Sequence, residues 1–254
     1  MSEDLPKLIK ASLKELLLDP QFQIDLAESM RDMRLQALLL SRFTSADFFR
    51  RRTEFDGMPF YESRQQMYAA IISSYGLAKR QGLLLEFGVA AGDSIRALAA
   101  NLPQFKLYGF DSFEGLPEAW YHEQPGAYSQ GGKLPAVPAN VELIKGWFED
   151  TVPKFAEKHA PALSRGIDVL HLDADIYSAT KTALQHFGKY LKEGTIVLFD
   201  EYHGYYNWEN HEHKAWGEFC NESGLQYRFI GVVPKGVQAA ARVLYNPLFN
   251  NKPR

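Results

Sequence analysis

From residue 64 onward, short apolar runs alternate with stretches of helical periodicity, and nothing else in this 254-residue chain restricts its fold as tightly. Met67, Ala70, Ile71 and Leu77 recur at helical spacing over 64–80. The continuous run Leu83-Leu84-Leu85 then reads as a strand, and helical spacing resumes over 95–102. Further strands are expected at 105–110, 141–144, 167–172 and 195–199, with a helix over 180–190 closed by Lys192-Glu193-Gly194. Strands buried on both faces and separated by helices indicate a parallel sheet with helices on either side. A helix near 213–222 follows, then strands at 227–231 and 237–245. The link between those two is too short for a crossover, which predicts an antiparallel hairpin.

Five parallel strands in βα alternation followed by a terminal hairpin define an α/β class. It is a Rossmann-like, seven-stranded, mostly parallel sheet with helices on both faces, the architecture of class I methyltransferases. A dehydrogenase sheet normally ends on a parallel strand instead. Residues 61–254 are expected to form this domain. Residues 1–60 read as a helical arm, with apolar spacing over 5–41 and a break at Asp19-Pro20, suited to covering substrate or to homo-oligomer formation. The formal charge of −3 argues against a nucleic-acid-coating protein, and no apolar run reaches the roughly 18–20 residues of a membrane span. The first residues, MSEDLPKLIK, lack the apolar core of a secretory signal, and the single Cys220 excludes an internal disulfide. A cytoplasmic location is expected. Arg50, Arg51 and Arg52 read as a solvated surface run.

The first strand runs into Glu86-Phe87-Gly88-Val89-Ala90-Ala91-Gly92-Asp93-Ser94. Glycines at a strand-to-helix turn let a ligand approach the backbone, but the spacing is not the dinucleotide fingerprint. Glu86 suits a cationic ligand, such as the ammonium of S-adenosylmethionine. Asp111, 25 residues later at the second strand's tip, suits the ribose hydroxyls of an adenosyl group, with Ser112 and Phe113 beside it. Gly146, Trp147 and Phe148 fall where an adenine pocket is expected. The fourth and fifth strands end in Asp173 and Asp175, and in Asp200 and Glu201. Four carboxylates in one crevice repel one another, and a hard divalent cation such as Mg²⁺ resolves this, with Asp173, Asp200 and Glu201 the expected ligands. Helix capping by Asp175 and ion pairs with Lys181 or Lys192 are the alternatives. Residues 112–140 hold four prolines and four glycines and read as a lid. Within it, His122 is the candidate general base, ahead of His203, His211 and His213.

GFDSFEGLPE (109–118), KGWFEDTVP (145–153), HLDADIYSATK (171–181) and FDEY (199–202) occur in this order and at these separations. Together they resemble the metal-dependent sugar O-methyltransferases of the macrocin and mycinamicin type, over residues 60–245. The resemblance implies S-adenosylmethionine and Mg²⁺ as cofactors, and a small-molecule acceptor with neighbouring hydroxyls. It places the metal on Asp173, Asp200 and Glu201, with Asp173 also catalytic. The cofactor loop maps to Glu86, Gly88, Val89, Ala90 and Gly92, with Ser94 beyond it, and the ribose carboxylate maps to Asp111. Members carry a histidine base in the loop after FDSFEG, which implies His122. Two rival readings are a nicotinamide-dependent oxidoreductase and a non-catalytic adenosyl-binding protein.

Overall fold

The computed structural model describes residues 18–29, 31–52 and 57–250. The arm contributes α1 (Pro20–Ser29) and α2 (Met33–Arg50). The break between them is fixed by Asp32, whose carboxylate accepts from the Arg34 and Leu35 amides and so caps α2. The part of the expected arm helix before residue 18 lies outside the described residues. α2 runs nine residues past the expected end at 41, because its buried face is Ser41, Ser45 and Phe49 rather than an apolar stripe. That face docks on the domain. Ser45 Oγ meets His203 Nδ1 at 3.0 Å, Arg42 donates to the Pro234 carbonyl at 3.1 Å, and Trp208 Nε1 donates to Thr44 at 3.2 Å. Arg50 and Arg51 pair with Asp47, while Arg52 lies over the Phe48, Tyr227 and Phe229 rings.

The domain follows as α3 (Arg64–Ser74), β1 (Gly82–Phe87), α4 (Asp93–Asn101), β2 (Phe105–Asp111), β3 (Val141–Lys145), α5 (Phe148–Lys158) and β4 (Ile167–Leu172). It ends in α6 (Tyr177–Phe187), β5 (Leu191–Phe199), α7 (Glu212–Ser223), β6 (Gln226–Val232) and β7 (Ala239–Tyr245). The seven strands lie in the order β3-β2-β1-β4-β5-β7-β6. β1 to β5 are mutually parallel, and β7 runs antiparallel to both β5 and β6, so the predicted hairpin wedges its second strand into the sheet. Lys192-Glu193-Gly194 belongs to β5 and does not close a helix, which ends at Phe187.

Alternation along the strands divides the core. Leu85, Phe87, Phe110, Leu172 and Phe199 face α5, α6 and α7, packing on Phe155, Phe187 and Trp216. Leu84, Leu107, Val169 and Leu198 face α3 and α4, packing on Met67, Ile71, Ile95 and Leu98. This two-sided cover is what a parallel sheet needs, and it leaves the carboxyl ends of the strands as the place where a crevice opens. Among the described residues no helix is long and apolar enough to cross a membrane.

Candidate functional site

The turn after β1 is held from both neighbouring strands. Gly88 N donates to the Phe110 carbonyl and Asp173 N donates to the Phe87 carbonyl, both at 2.9 Å. Gly88 adopts φ +90°, and a Cβ there would lie 1.6 Å from the Asp173 carbonyl oxygen. Only glycine fits where the ends of β1 and β4 come this close. Ala90 also takes a left-handed φ, of 44°.

Glu86 does not reach the crevice, contrary to the expected ammonium contact. Its position in β1 has the same parity as Leu84, which turns its side chain toward α3 and α4. There Ser94 Oγ donates to Glu86 Oε1 at 2.8 Å, and His171 Nδ1 meets Oε2 at 3.0 Å. His171 Nε2 in turn meets the Tyr68 hydroxyl at 2.9 Å. Glu86 and His171 are fully buried. The chain Tyr68–His171–Glu86–Ser94 thus stitches both helices to the sheet beneath the turn. Sequence reading missed the roles of Tyr68 and His171. The helical spacing of 64–80 held the only signal for Tyr68, and the strand register the only one for His171.

A cavity of about 410 Å³ opens at the carboxyl ends of the strands. Gly88, Val89, Ala90, Asp111, Ser112, Trp147 and Phe148 line it, as expected of cofactor residues, and so do Asp173, Asp175, Asp200 and Glu201. Gly92, Ser94, Phe113 and Gly146 do not: Gly92 caps α4, Phe113 is in the core, and Gly146 supports the turn before Trp147. Asp111 Oδ2 accepts from the Val89 and Ala90 amides at 2.8 and 2.7 Å, so this carboxylate shapes the glycine turn as well as facing the cavity. Trp147 is 37% exposed and its ring is available for stacking, whereas Phe148 packs edge-on against Phe87.

The carboxylates gather where β4 and β5 end. Burial first, then the charge of Asp200, raises the carboxyls of Asp173, Asp175 and Glu201 above the ordinary range, Asp175 to about 7. Glu212, at the start of α7 and fully buried, is raised by the same causes and was not anticipated. Neither lysine alternative holds, since Lys181 pairs with Glu218 and Lys192 with Asp168. Asp175 is not a cap either: the N-cap of α6 is Ile176, with no side-chain cap hydrogen bond, and Asp175 takes φ +59°. Arg64, from the first turn of α3, is the one cation among the described residues paired with the cluster.

Two observations bear on whether the donor set fits a hard cation. Ligand atoms of Asp173 and Asp200 come within 4.8 Å of one another; Glu201, the third expected ligand, falls outside that group, but at 8% exposed it keeps a buried Oε2 with no hydrogen-bond partner. His171 lies within the same radius, but both its ring nitrogens are engaged, which leaves an all-oxygen set.

The lid is ordered by its own backbone. Leu116 and Ala127 bond across it, and Gln130 and Gly132 both donate to the Phe113 carbonyl. Trp120 packs with Ile176, Tyr205 and Trp208, so the lid rests on the segment after β5. Leu116, Pro117, Trp120 and Tyr128 line the cavity. His122 does not. Its side chain is 69% exposed and meets Glu123 at 3.3 Å rather than lining the cavity. Its alternatives fare no better: His203 is held by Ser45 and the Gln238 carbonyl, His211 lies against Trp120, and His213 sits among Phe48, Tyr202 and Trp208.

Sheet order, glycine turn and crevice define a Rossmann-like methyltransferase fold, as the strand pattern predicted, and comparison with known proteins agrees. Residues 85–202 match the family model described as a methyltransferase domain. Over 147 residues the chain is 30% identical to the 8-demethyl-8-(2,3-dimethoxy-alpha-L-rhamnosyl)-tetracenomycin-C 4'-O-methyltransferase of Streptomyces olivaceus, a match covering 48% of this chain and 53% of that protein. The chain therefore spans about half the length of this curated relative. Among solved structures, the calicheamicin methyltransferase CalS11 is similar in fold at a TM-score of 0.52 and 21% identity, over 80% of this chain and 91% of that one. The O-methyltransferase NovP gives 0.52 and 19%, over 70% and 80%.

Proposed function

We propose that this chain is an S-adenosylmethionine- and Mg²⁺-dependent O-methyltransferase acting on a hydroxyl of a sugar or glycosylated natural product, of the macrocin and mycinamicin type. One observation carries this reading: the cofactor-type wall of Asp111 and Trp147 and the carboxylate cluster share a single cavity. The sugar acceptor is favoured by the motif resemblance and by the rhamnosyl substrate in the name of the Streptomyces olivaceus relative.

Asp111 and Trp147 would bind the ribose and adenine of the methyl donor, with the glycine turn against its amino-acid end. Asp173, Asp200 and Glu201 would hold the cation, which when bound supplies Lewis acidity that eases ionisation of the acceptor hydroxyl. Asp175 replaces His122 as the proposed base. It lines the cavity, stands outside the proposed ligand set, and its carboxyl is pushed up to about 7, near the pKa a base needs at neutral pH. The methyl donor when bound would supply an electrophilic sulfonium methyl for the acceptor oxygen, and Asp175 would take the proton that oxygen loses. Leu116, Trp120 and Tyr128 exclude water above this point, and alignment supplies much of the acceleration. The arm, residues 1–60, is proposed to cover substrate or to join copies of the chain, because α2 turns Met33, Leu40 and Phe43 outward.

Titration with S-adenosylmethionine and with NADH tests the class: saturable binding of the first alone is expected, and binding of NADH alone would favour the oxidoreductase. Asp175→Asn tests the base. Turnover must rise with pH as the carboxyl loses its proton, at or below about 7. The variant should lose roughly 10²–10⁴-fold in kcat, and with it that acid limb, while still binding the methyl donor. An unchanged pH profile would remove Asp175 from the role.

A further inference from the structure

We infer that Arg64 is a resident counter-cation of the carboxylate cluster, one that a divalent cation must displace, so that metal affinity is set by competition with this side chain. The inference rests on the reading of Asp173, Asp200 and Glu201 as the cation site. Arg64 Nη1 donates to both oxygens of Asp200 at 2.9 Å each and stands 4.0 Å from Asp173 Oδ2. One nitrogen thus sits equidistant from both Asp200 oxygens, where it competes with any cation for them.

This is also a pairing built to be exchanged. Strong arginine–carboxylate pairs align two nitrogens with two oxygens, whereas here one nitrogen serves both. Arg64 brings one positive charge to a group that includes Asp173, Asp175, Asp200, Glu201 and Glu212, and it leaves Glu201 Oε2 without a hydrogen-bond partner. A divalent ion supplies more charge in less volume. The arginine side chain is 27% exposed, so the guanidinium has water to return to. Its departure need not disturb the helix behind it, because Tyr68, one turn further along α3, stays tied to His171. Arg64 thus keeps the metal-free cluster folded and raises the cation concentration at which the site fills.

The test uses Mn²⁺ alone, bound to the full chain without methyl donor or acceptor and followed by electron paramagnetic resonance. Arg64→Met should bind Mn²⁺ at least tenfold more tightly than the parent. In EDTA it should melt at lower temperature, and Mn²⁺ should raise its melting temperature more than the parent's. Arg64→Lys keeps the charge and covers the case in which Arg64→Met does not fold; with a single ammonium on a shorter reach, it too should bind Mn²⁺ more tightly. Unchanged or weaker Mn²⁺ binding in the variants would overturn the competition, the weaker result making Arg64 an organiser of the site. Absence of Mn²⁺ binding in parent and variants alike would instead remove the cation site, and the competition with it.

Discussion

An Asp200→Asn variant is expected to lose at least about a thousandfold in metal-stimulated methyl transfer, on the order of 4 kcal/mol of transition-state stabilisation, while binding the methyl donor nearly as well as the parent. Asp200 is 6% exposed at the end of β5, beside Asp173 and opposite the adenosyl-type wall. An amide there keeps the shape and offers one neutral oxygen, so it weakens a hard cation's hold without filling the cavity. The loss should not come from unfolding. The substitution removes one negative charge from a group whose members raise one another's carboxyls, and the Arg64 it leaves behind is partly hydrated. Turnover, donor affinity and thermal melting in EDTA together check this. Parent-like turnover in Asp200→Asn would end the metal assignment.

Gly88→Ala should cost at least about 3 kcal/mol of stability, or fail to fold, because a Cβ 1.6 Å from the Asp173 carbonyl oxygen can be housed only by parting β1 from β4. The damage falls on the turn that presents Val89 and Ala90 to Asp111, so any folded fraction should bind the methyl donor poorly. Ala90→Gly provides the contrast. At φ 44° that position already strains an alanine, and glycine there should be neutral or stabilising by up to about 1 kcal/mol. Denaturant midpoints and donor titrations of both variants read the difference, and a Gly88→Ala protein as stable as the parent would contradict the close approach.

How much was legible depended on whether a residue's role was set by its own strand or by a distant partner. β4 starts and ends where expected, at Ile167 and Leu172, because a mostly apolar strand buried on both faces stands out from the helices around it. Asp111, Asp173, Asp200 and Glu201 were readable because strand tips converge in this topology. Glu86 was misread for a reason of parity: one residue either way would have turned it to the other face. His122 does not line the cavity, because a lid residue's direction depends on loop geometry that composition does not encode. Arg64 and Tyr68 stand on α3, far in sequence from β4 and β5, and their contacts with Asp200 and His171 follow from helix packing alone. α2 was cut short because it buries serines and exposes Met33 and Phe43, the reverse of the pattern that marks a core-facing helix.

The most direct test of the whole account is transfer of radiolabelled methyl from S-adenosylmethionine to a panel of glycosylated acceptors, sugars and simple diols, run with Mg²⁺ and with excess EDTA. The account predicts label on a sugar hydroxyl in the presence of Mg²⁺ and its loss with EDTA. Transfer that EDTA leaves unchanged, or firm binding of the donor with no transfer to any acceptor, would contradict it.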